Sequence, residues 1–425
     1  MNLTCSSGAW KQEKYGNKSP GASVNNTPSG KNDSSYFIFL FNTPMKILVI
    51  GAGQMGTALA YDLARSQGVE SVTLADMDAS RAHSVAAQIN AKKIRHARLD
   101  VEYFDDVISL MSGHDCAIGA TTFRHNFELT RAALEAGVHF CDLGGNDDVV
   151  RRQLSLDAEA KNRNILVVPN CGLAPGFANV LAAGGAKKFD ELDTIHIRVG
   201  GLPQHPKPPL NYQLVFSAEG LVNEYSGMSV VLRGGKPVER AAMTELEELE
   251  FPPRFGMMEA FLTSGGASML PAMFEGKVRE LDYKTIRYPG HCERFKTLLD
   301  IGFASNEPIS VGSNLLTAKE MFLELLKRKL GGSGHDAVLV RMVITGKGGG
   351  IRRSLSYNLI DFYQENDNIS AMMRMTAFPT SVIAQLIVKG SIRERGVRTP
   401  EQCVPLDPML TELTARGVRV SEQWQ

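Results

Sequence analysis

Short apolar runs alternate with amphipathic stretches from Met45 to about Pro169. The run Met45-Lys46-Ile47-Leu48-Val49-Ile50 predicts a buried strand; a helix from Met55 to Ser66 follows, and then a second apolar strand, Val72-Thr73-Leu74-Ala75, which closes on Asp76. Ala97–Asp100, Cys116–Ala120, Phe140–Leu143 and Ile165–Val168 predict strands three to six, with helices at Phe104–Met111, Phe127–Ala136 and Val150–Asn162. This alternation predicts an α/β fold whose first part, residues 45–172, is a doubly wound parallel (Rossmann) nucleotide domain. Ligands of such sheets sit beyond the carboxyl ends of the strands. That rule selects Asp76, Asp100, Val101, Ala120, Thr121, Asp142 and the turn Asn170-Cys171-Gly172 as ligand-side positions.

The patterning changes from Leu173. Pro175-Gly176 opens a helix through Ala186, and strand-like segments such as Thr194–Val199 follow, with a Pro-rich loop from Pro203 to Pro209 and a strand pair at Val338–Thr345 and Leu355–Phe362. We expect an α+β substrate and dimerisation domain over residues 173–375. Residues 376–425 are expected to supply a C-terminal helix, Thr380–Val388, that returns to the nucleotide domain, and then a polar, partly loop-like tail. Residues 1–44 are rich in Ser, Asn, Gly and Lys around one apolar patch, Tyr36–Phe41. Such composition does not offset its ordering entropy, so a disordered extension is expected, with Met45 as the natural start.

Lys+Arg 46 against Asp+Glu 46 gives no net charge, which removes any global attraction to nucleic acid or to an anionic membrane. No apolar run approaches the roughly eighteen residues of a membrane helix. Six cysteines are scattered without C-x-x-C pairs or histidines at zinc spacing, which predicts no metal site and fits reduced thiols in a cytoplasmic protein.

The first strand runs directly into Gly51-Ala52-Gly53-Gln54-Met55-Gly56, the G-x-G-x-x-G of dinucleotide sites. The first glycine allows the tight turn, the second lets the backbone approach the pyrophosphate, and the third lets helix and strand pack closely. Asp76 follows about twenty residues later, where an acid accepts ribose hydroxyls and repels a 2′-phosphate. NAD is therefore expected rather than NADP.

Several segments carry a family likeness: Asp142-Leu143-Gly144-Gly145, Gly172-Leu173-Ala174-Pro175-Gly176, Val215 to Leu221, Thr263-Ser264-Gly265-Gly266 and above all Tyr283 to His291. Through them the chain resembles the saccharopine dehydrogenase family, and within it the lysine 6-dehydrogenase branch, over roughly residues 45–392. The resemblance implies a nicotinamide cofactor that oxidises the carbon beside an amine to an imine, which water hydrolyses. It departs from saccharopine reductases at Glu219, where those enzymes carry an arginine that holds a substrate carboxylate. A carboxylate there inverts the preference from anion to cation.

The resemblance makes Tyr283, Lys284, Thr285 and Glu219 substrate-binding candidates and Arg287 a clamp for an α-carboxylate. Removal of the ammonium proton requires a base, for which Lys284, His291, Glu219 and Asp142 are candidates. Cys141 and Cys171 lie at strand ends, but amine oxidation needs no nucleophile. Gly265-Gly266 marks either close substrate approach or a turn. The activity expected is NAD-dependent oxidative deamination of the ε-amine of L-lysine by a homodimer. The alternatives are a saccharopine or carboxyalkyl-polyamine dehydrogenase, or a transferase or cyclodeaminase that uses bound NAD catalytically.

Overall fold

The computed structural model describes residues 44–332 and 334–425. The expectation for residues 1–44 therefore lies, Pro44 apart, outside the described residues. Six strands, β1 (Met45–Ile50), β2 (Val69–Asp76), β3 (Ile94–Arg98), β4 (Cys116–Gly119), β5 (His139–Asp142) and β6 (Leu166–Val168), pair in the order β3-β2-β1-β4-β5-β6, all parallel. This is the doubly wound order, and its direction reverses between β1 and β4. Both faces of β1 are covered, which explains its continuous apolar run. Ile47 and Val49 join one core with Leu59 and Leu63 of the helix Gln54–Arg65, while Leu48 and Ile50 join the other with Val107, Leu129 and Ala133.

The predicted helix Val150–Asn162 is two helices, Asp147–Leu154 and Asp157–Asn162. The first starts earlier than its apolar pattern because Asn146 caps it, its side chain accepting from the amides of Asp148 and Val149 at 3.0 Å each.

The second domain is built on a nine-stranded mixed sheet. Its long central strand, β7 (Glu191–Pro203), pairs in parallel with Glu280–Arg287 on one side and antiparallel with Asp336–Gly348 on the other. Asp336–Gly348 in turn pairs with Ile351–Phe362.

The end of the chain departs most from expectation. Its long helix spans Ala371–Val388, beginning nine residues before Thr380, because Ser370 caps it by accepting the Met373 amide at 3.0 Å. Pro379 lies inside that helix and masks its first half in the sequence. In length and composition the helix would cross a membrane, yet 89% of it is buried inside the fold, against the helix Gln54–Arg65. Its Ser381 hydroxyl donates to Asp62 at 2.6 Å, and the Arg416 guanidinium reaches the same carboxylate at 2.8 Å. The tail is not loop-like. Gly396–Val397 adds a seventh parallel strand outside β6, and Ser421–Trp424 adds an edge strand to the second sheet.

Candidate active site

A cleft of about 1330 Å³ lies between the two sheets. One end is the glycine turn at the strand-order reversal. Gly51 has φ +109°, and a Cβ on it would lie 2.7 Å from the Ala120 carbonyl oxygen. A Cβ on Gly56 would lie 1.7 Å from the Gly51 carbonyl oxygen, so the helix closes on the turn only with glycine there. Asp76 ends β2 with its carboxylate accepting the Ala52 amide at 2.7 Å and the Asp78 amide at 2.9 Å, which fixes the acid at the rim. Gly51, Gly53, Gln54, Met55, Asp76, Asp100, Val101, Ala120, Thr121 and Gly172 line the cleft. These residues fit a dinucleotide: a backbone cradle with no Cβ to obstruct it, and an acid where a ribose would sit.

Three predicted cofactor residues do not line it. Ala52 is buried behind the turn and serves through the amide that fixes Asp76. Gly56 serves as the helix contact. Asp142 is fully buried and accepts from the Gln153 side chain at 2.7 Å, the Gly144 amide at 2.7 Å and the Asn170 amide at 3.3 Å. Burial pushes its carboxyl up. It shapes the loops that carry Gly144, Gly145 and Gly172 and touches neither ligand space nor a base's position. Cys141 and Cys171 are also buried, with burial among the causes that push both thiols up.

At the other end the strand Glu280–Arg287 presents alternate side chains. Tyr283, Thr285 and Arg287 face the cleft. Lys284 faces the opposite side, where its ammonium donates to Glu247 at 2.9 Å within a group that includes Arg198 and Asp282, joined at 2.6 Å. Lys284 is therefore neither substrate ligand nor base. His291 is also excluded. It is fully buried off the cleft, between the Leu210 carbonyl at 2.9 Å and the Tyr225 hydroxyl at 3.1 Å. Burial and the neighbouring Arg287 cation push its imidazole down to about 3, so it is neutral near pH 7. Glu219 does line the cleft, but its carboxylate is paired with the Arg124 guanidinium from the nucleotide domain. It is not the unpaired acceptor for a substrate cation that was expected.

An acid that faces the cleft beside Arg287 and forms no ion pair among the described residues is Glu224, which the sequence reading missed. Ser217 starts a short helix, Ala218–Glu224, by accepting the Gly220 amide at 3.0 Å, and the helix turns Glu219, Asn223 and Glu224 to the cleft. The Thr285 hydroxyl donates to Glu224 Oε1 at 2.7 Å, and Thr285 and Thr263 share a 2.8 Å hydrogen bond. Oε2 accepts no hydrogen bond among the described residues. Nearby, Arg287 is 2% exposed and forms no ion pair among the described residues. Its Nε donates to the Tyr225 hydroxyl at 2.6 Å and its Nη1 to the Ile286 carbonyl at 2.8 Å, while Nη2 has no hydrogen-bond partner among the described residues. Gly265 and Gly266 divide the two roles expected of them. Gly265 has φ +89° with open space around it, whereas a Cβ on Gly266 would lie 2.2 Å from the Tyr283 ring. Across its whole lining the cleft carries seven carboxylates and three guanidinium groups.

Residues 47–168 match the family model for the saccharopine dehydrogenase NADP binding domain, and residues 172–418 match that for the saccharopine dehydrogenase C-terminal domain. The chain is 27% identical over 161 residues to carboxyaminopropylagmatine dehydrogenase of Synechocystis, covering 36% of this chain and 40% of that protein. It is 21% identical over 452 residues to the mitochondrial alpha-aminoadipic semialdehyde synthase of Rattus norvegicus, covering 90% of this chain and 48% of that protein. The chain thus spans less than half the length of these two relatives. The same fold occurs in apo saccharopine dehydrogenase (L-Glu forming) from Saccharomyces cerevisiae, at TM-score 0.74 and 16% identity over 90% of this chain and 100% of that one. The glycine turn with its fixed acid makes the first domain one for a pyridine nucleotide, and with both domains matched the chain belongs to the saccharopine dehydrogenase family.

Proposed function

We propose that the chain is an NAD-dependent dehydrogenase that oxidises the carbon beside an amine of a cationic amino acid, with the ε-amine of L-lysine as its substrate. The observation that carries this reading is the pair of charges in one wall of the cleft: Arg287, buried without a carboxylate partner, and Glu224, with one oxygen free. Arg287 is suited to hold a carboxylate, with Nη2 as the free donor. Glu224 is suited to receive the ammonium and to take its proton, leaving the nitrogen lone pair that must push out the hydride. Thr285, which holds Glu224, and Arg287 are two residues apart on one strand face, a stagger of about 6.7 Å. That suits a carboxylate and an amine separated by several methylenes better than an α-amine. In the second domain's part of the lining, with Glu219 paired to Arg124, the remaining carboxylates Glu224 and Glu239 stand against the single guanidinium of Arg287, which favours a ligand that carries an ammonium.

A pyridine nucleotide, when bound, supplies the hydride acceptor. The chain's own residues orient the substrate, remove one proton at the nitrogen and admit water, which hydrolyses the imine to the semialdehyde and ammonia. Asp76 supports NAD over NADP, since a second negative group at the ribose would face its carboxylate.

A second reading draws on the relative named carboxyaminopropylagmatine dehydrogenase and on the length of the cleft, which runs on past Glu224 to Met228, Val230 and Glu239. Under it the substrate is a carboxyalkyl polyamine oxidised at its secondary amine. Lysine, saccharopine and a carboxyalkyl polyamine, each offered with NAD and with NADP and followed at the absorbance of the reduced nucleotide, separate the two. Reduction of NAD with lysine is the expected result. Turnover with the polyamine and none with lysine would overturn the first reading in favour of the second.

A further inference from the structure

Oxidation at the carbon beside the amine leaves a second task that Glu224 alone does not complete. Loss of hydride gives an iminium carbon, and its hydrolysis needs one group to take a proton from the attacking water while another returns one to the nitrogen. Glu224 then carries the proton it took from the ammonium and is spent as a base. The water needs a different acceptor.

A second acid stands on the nucleotide-domain wall of the cleft. Asp147 opens the helix Asp147–Leu154 and lines the cleft together with Ser268 of the second domain, whose hydroxyl donates to Asp147 Oδ1 at 2.7 Å. Its Oδ2 accepts no hydrogen bond among the described residues. The loop from Ser264 to Ser268 joins the two acids: the Ser264 amide donates to the Glu224 carbonyl at 2.9 Å, and at most about 14 Å of chain further on Ser268 holds Asp147. Every residue of that loop lines the cleft, so both acids border one stretch of it. This is also the reacting end. With Asp76 at the end of β2 placed for the adenosine ribose, the other half of a dinucleotide falls across the strand-order reversal, over β4 to β6, and Asp147 lies in the segment that follows β5.

The corner around Asp147 keeps one hydrogen-bonding place open. Asn170, 2% exposed, donates from Nδ2 to the Ser268 hydroxyl at 2.8 Å, while its Oδ1 has no partner among the described residues and lies against Gly144, a residue of the cleft wall. A buried acceptor of this kind takes its hydrogen from water or from a ligand. Burial pushes the Asp147 carboxyl up, against the Ser268 hydrogen bond and the Arg151 cation; Asp148 on the same helix also raises it, and the Asp147 charge in turn raises Glu401 on the helix Pro400–Cys403. A carboxylate raised in this way is the better proton acceptor.

We propose that Asp147 is a catalytic residue for the hydrolytic half of the reaction, a role that rests on the dehydrogenase reading above: its carboxylate takes a proton from the water that attacks the iminium carbon. The water oxygen forms the new C–O bond as its proton passes to Asp147, and the nitrogen takes the proton held by Glu224. The C–N bond then breaks with its electron pair on nitrogen, and the hydroxyl proton leaves as the carbonyl forms. Aldehyde and ammonia result with no change of oxidation state.

The test separates the two halves in Asp147→Asn, which keeps an oxygen for Ser268. Mixed rapidly with lysine and NAD, the variant should form about one reduced nucleotide per site at a rate within about threefold of wild type and then turn over about 10²-fold more slowly than wild type. Hydroxylamine, whose nitrogen attacks an imine without a base and gives the oxime and ammonia, should restore turnover in the variant and leave wild type unchanged. Should the variant fold poorly by circular dichroism, Ser268→Ala decides in its place: loss of the hydroxyl that holds Asp147 should slow turnover about 10-fold while the first reduced nucleotide forms at the wild-type rate. Equal losses in the first and later turnovers, no rescue by hydroxylamine, or unchanged turnover would each overturn the proposal and leave the dehydrogenase reading standing. No reduced nucleotide from wild type with lysine would instead overturn the lysine reading on which the proposal rests.

Discussion

Removal of one oxygen atom, in Tyr225→Phe, tests how the candidate site holds its cation. Arg287 Nε donates to the Tyr225 oxygen at 2.6 Å, so the phenol must direct its own hydrogen to His291 Nε2 at 3.1 Å, and His291 must carry its proton on Nδ1 and donate to the Leu210 carbonyl at 2.9 Å. Each member of the chain has one role, and all three side chains are buried. Phenylalanine keeps the ring contacts with Phe261 and Phe295 but leaves a guanidinium N–H and an imidazole nitrogen without partners. A hydrogen bond to a charged group contributes about 1.5–3 kcal/mol, and a stranded buried acceptor adds about 1 kcal/mol, giving a loss of roughly 2–4 kcal/mol. At about 2.1 cal/mol/K per residue over the described chain, that lowers Tm by about 3–5 °C.

The kinetic consequence is more selective. A guanidinium no longer held at Nε loses orientation worth about 1.5–3 kcal/mol, so KM for a substrate with a carboxylate should rise about 10- to 150-fold while kcat changes far less. The assay compares lysine with the diamine that lacks its carboxylate, following reduced nucleotide. Only the lysine KM should move. Equal changes for both substrates would mean that Tyr225 maintains the fold and does not aim Arg287, and an unchanged KM with an unchanged Tm would refute the hydrogen-bond chain itself.

Three further outcomes follow from the same geometry. Glu224→Gln keeps an oxygen for the Thr285 hydroxyl but removes the proposed base, so kcat should fall about 10²- to 10⁴-fold with Tm within about 2 °C, read from initial rates and a thermal melt. Lys284→Met should leave kcat within about threefold, because the side chain faces away from the cleft, and should lower stability by roughly 1–3 kcal/mol in denaturant unfolding, since Glu247 is left partly buried beside Arg198. Glu401 is 4% exposed, and burial pushes its carboxyl from 4.5 up to about 7, so between these values the folded chain holds the proton and the unfolded chain does not. Its contribution is complete below about pH 4.5 and lost as pH rises through about 7, and Glu401→Gln should therefore gain up to about 3 kcal/mol relative to wild type at pH 8 and nothing at pH 4.5, measured by urea unfolding at both pH values.

The nucleotide half of the fold was legible because its signals are local. A buried strand, three glycines and an acid lie within 32 residues, and the Gly56 contact with Gly51 follows from the motif alone. The seventh strand, Gly396–Val397, was not legible: two residues carry no periodicity, and their place is set by the Ile165 carbonyl, which accepts the Gly396 amide at 2.8 Å. At the substrate end the difficulty was one of parity. Tyr283, Lys284 and Thr285 cannot all face one ligand on a strand. Sequence divides them into two sets without saying which set meets the cleft. Ile286 decides it, since it packs with Leu202 and Leu339 on the far side and leaves the odd-numbered residues for the ligand. Glu224 gave no signal for a related reason: an acid on a short helix reads as a solvated face until Thr285, 61 residues away, donates to it.

Lys284 and Arg287 show what the sequence withheld and why it matters for function. Both are cations of one strand and both are buried, yet the fold gives Lys284 a carboxylate and gives Arg287 only a phenol oxygen and a carbonyl. A buried charge without a counter-ion costs several kcal/mol, and a folded chain avoids that cost wherever an acid can be placed beside it. Glu224 lies in the same wall, held by Thr285 and not by Arg287. Glu224 is among the charges that favour the Arg287 cation, but no ion pair joins them among the described residues, so each keeps capacity for a partner, and a ligand that carries both complementary charges completes each of them at once. Under the proposed function lysine would do so, with its carboxylate to Arg287 and its ε-ammonium to Glu224, and the diamine would satisfy only one. The same asymmetry makes the paired comparison of these two ligands the sharpest reading of the site.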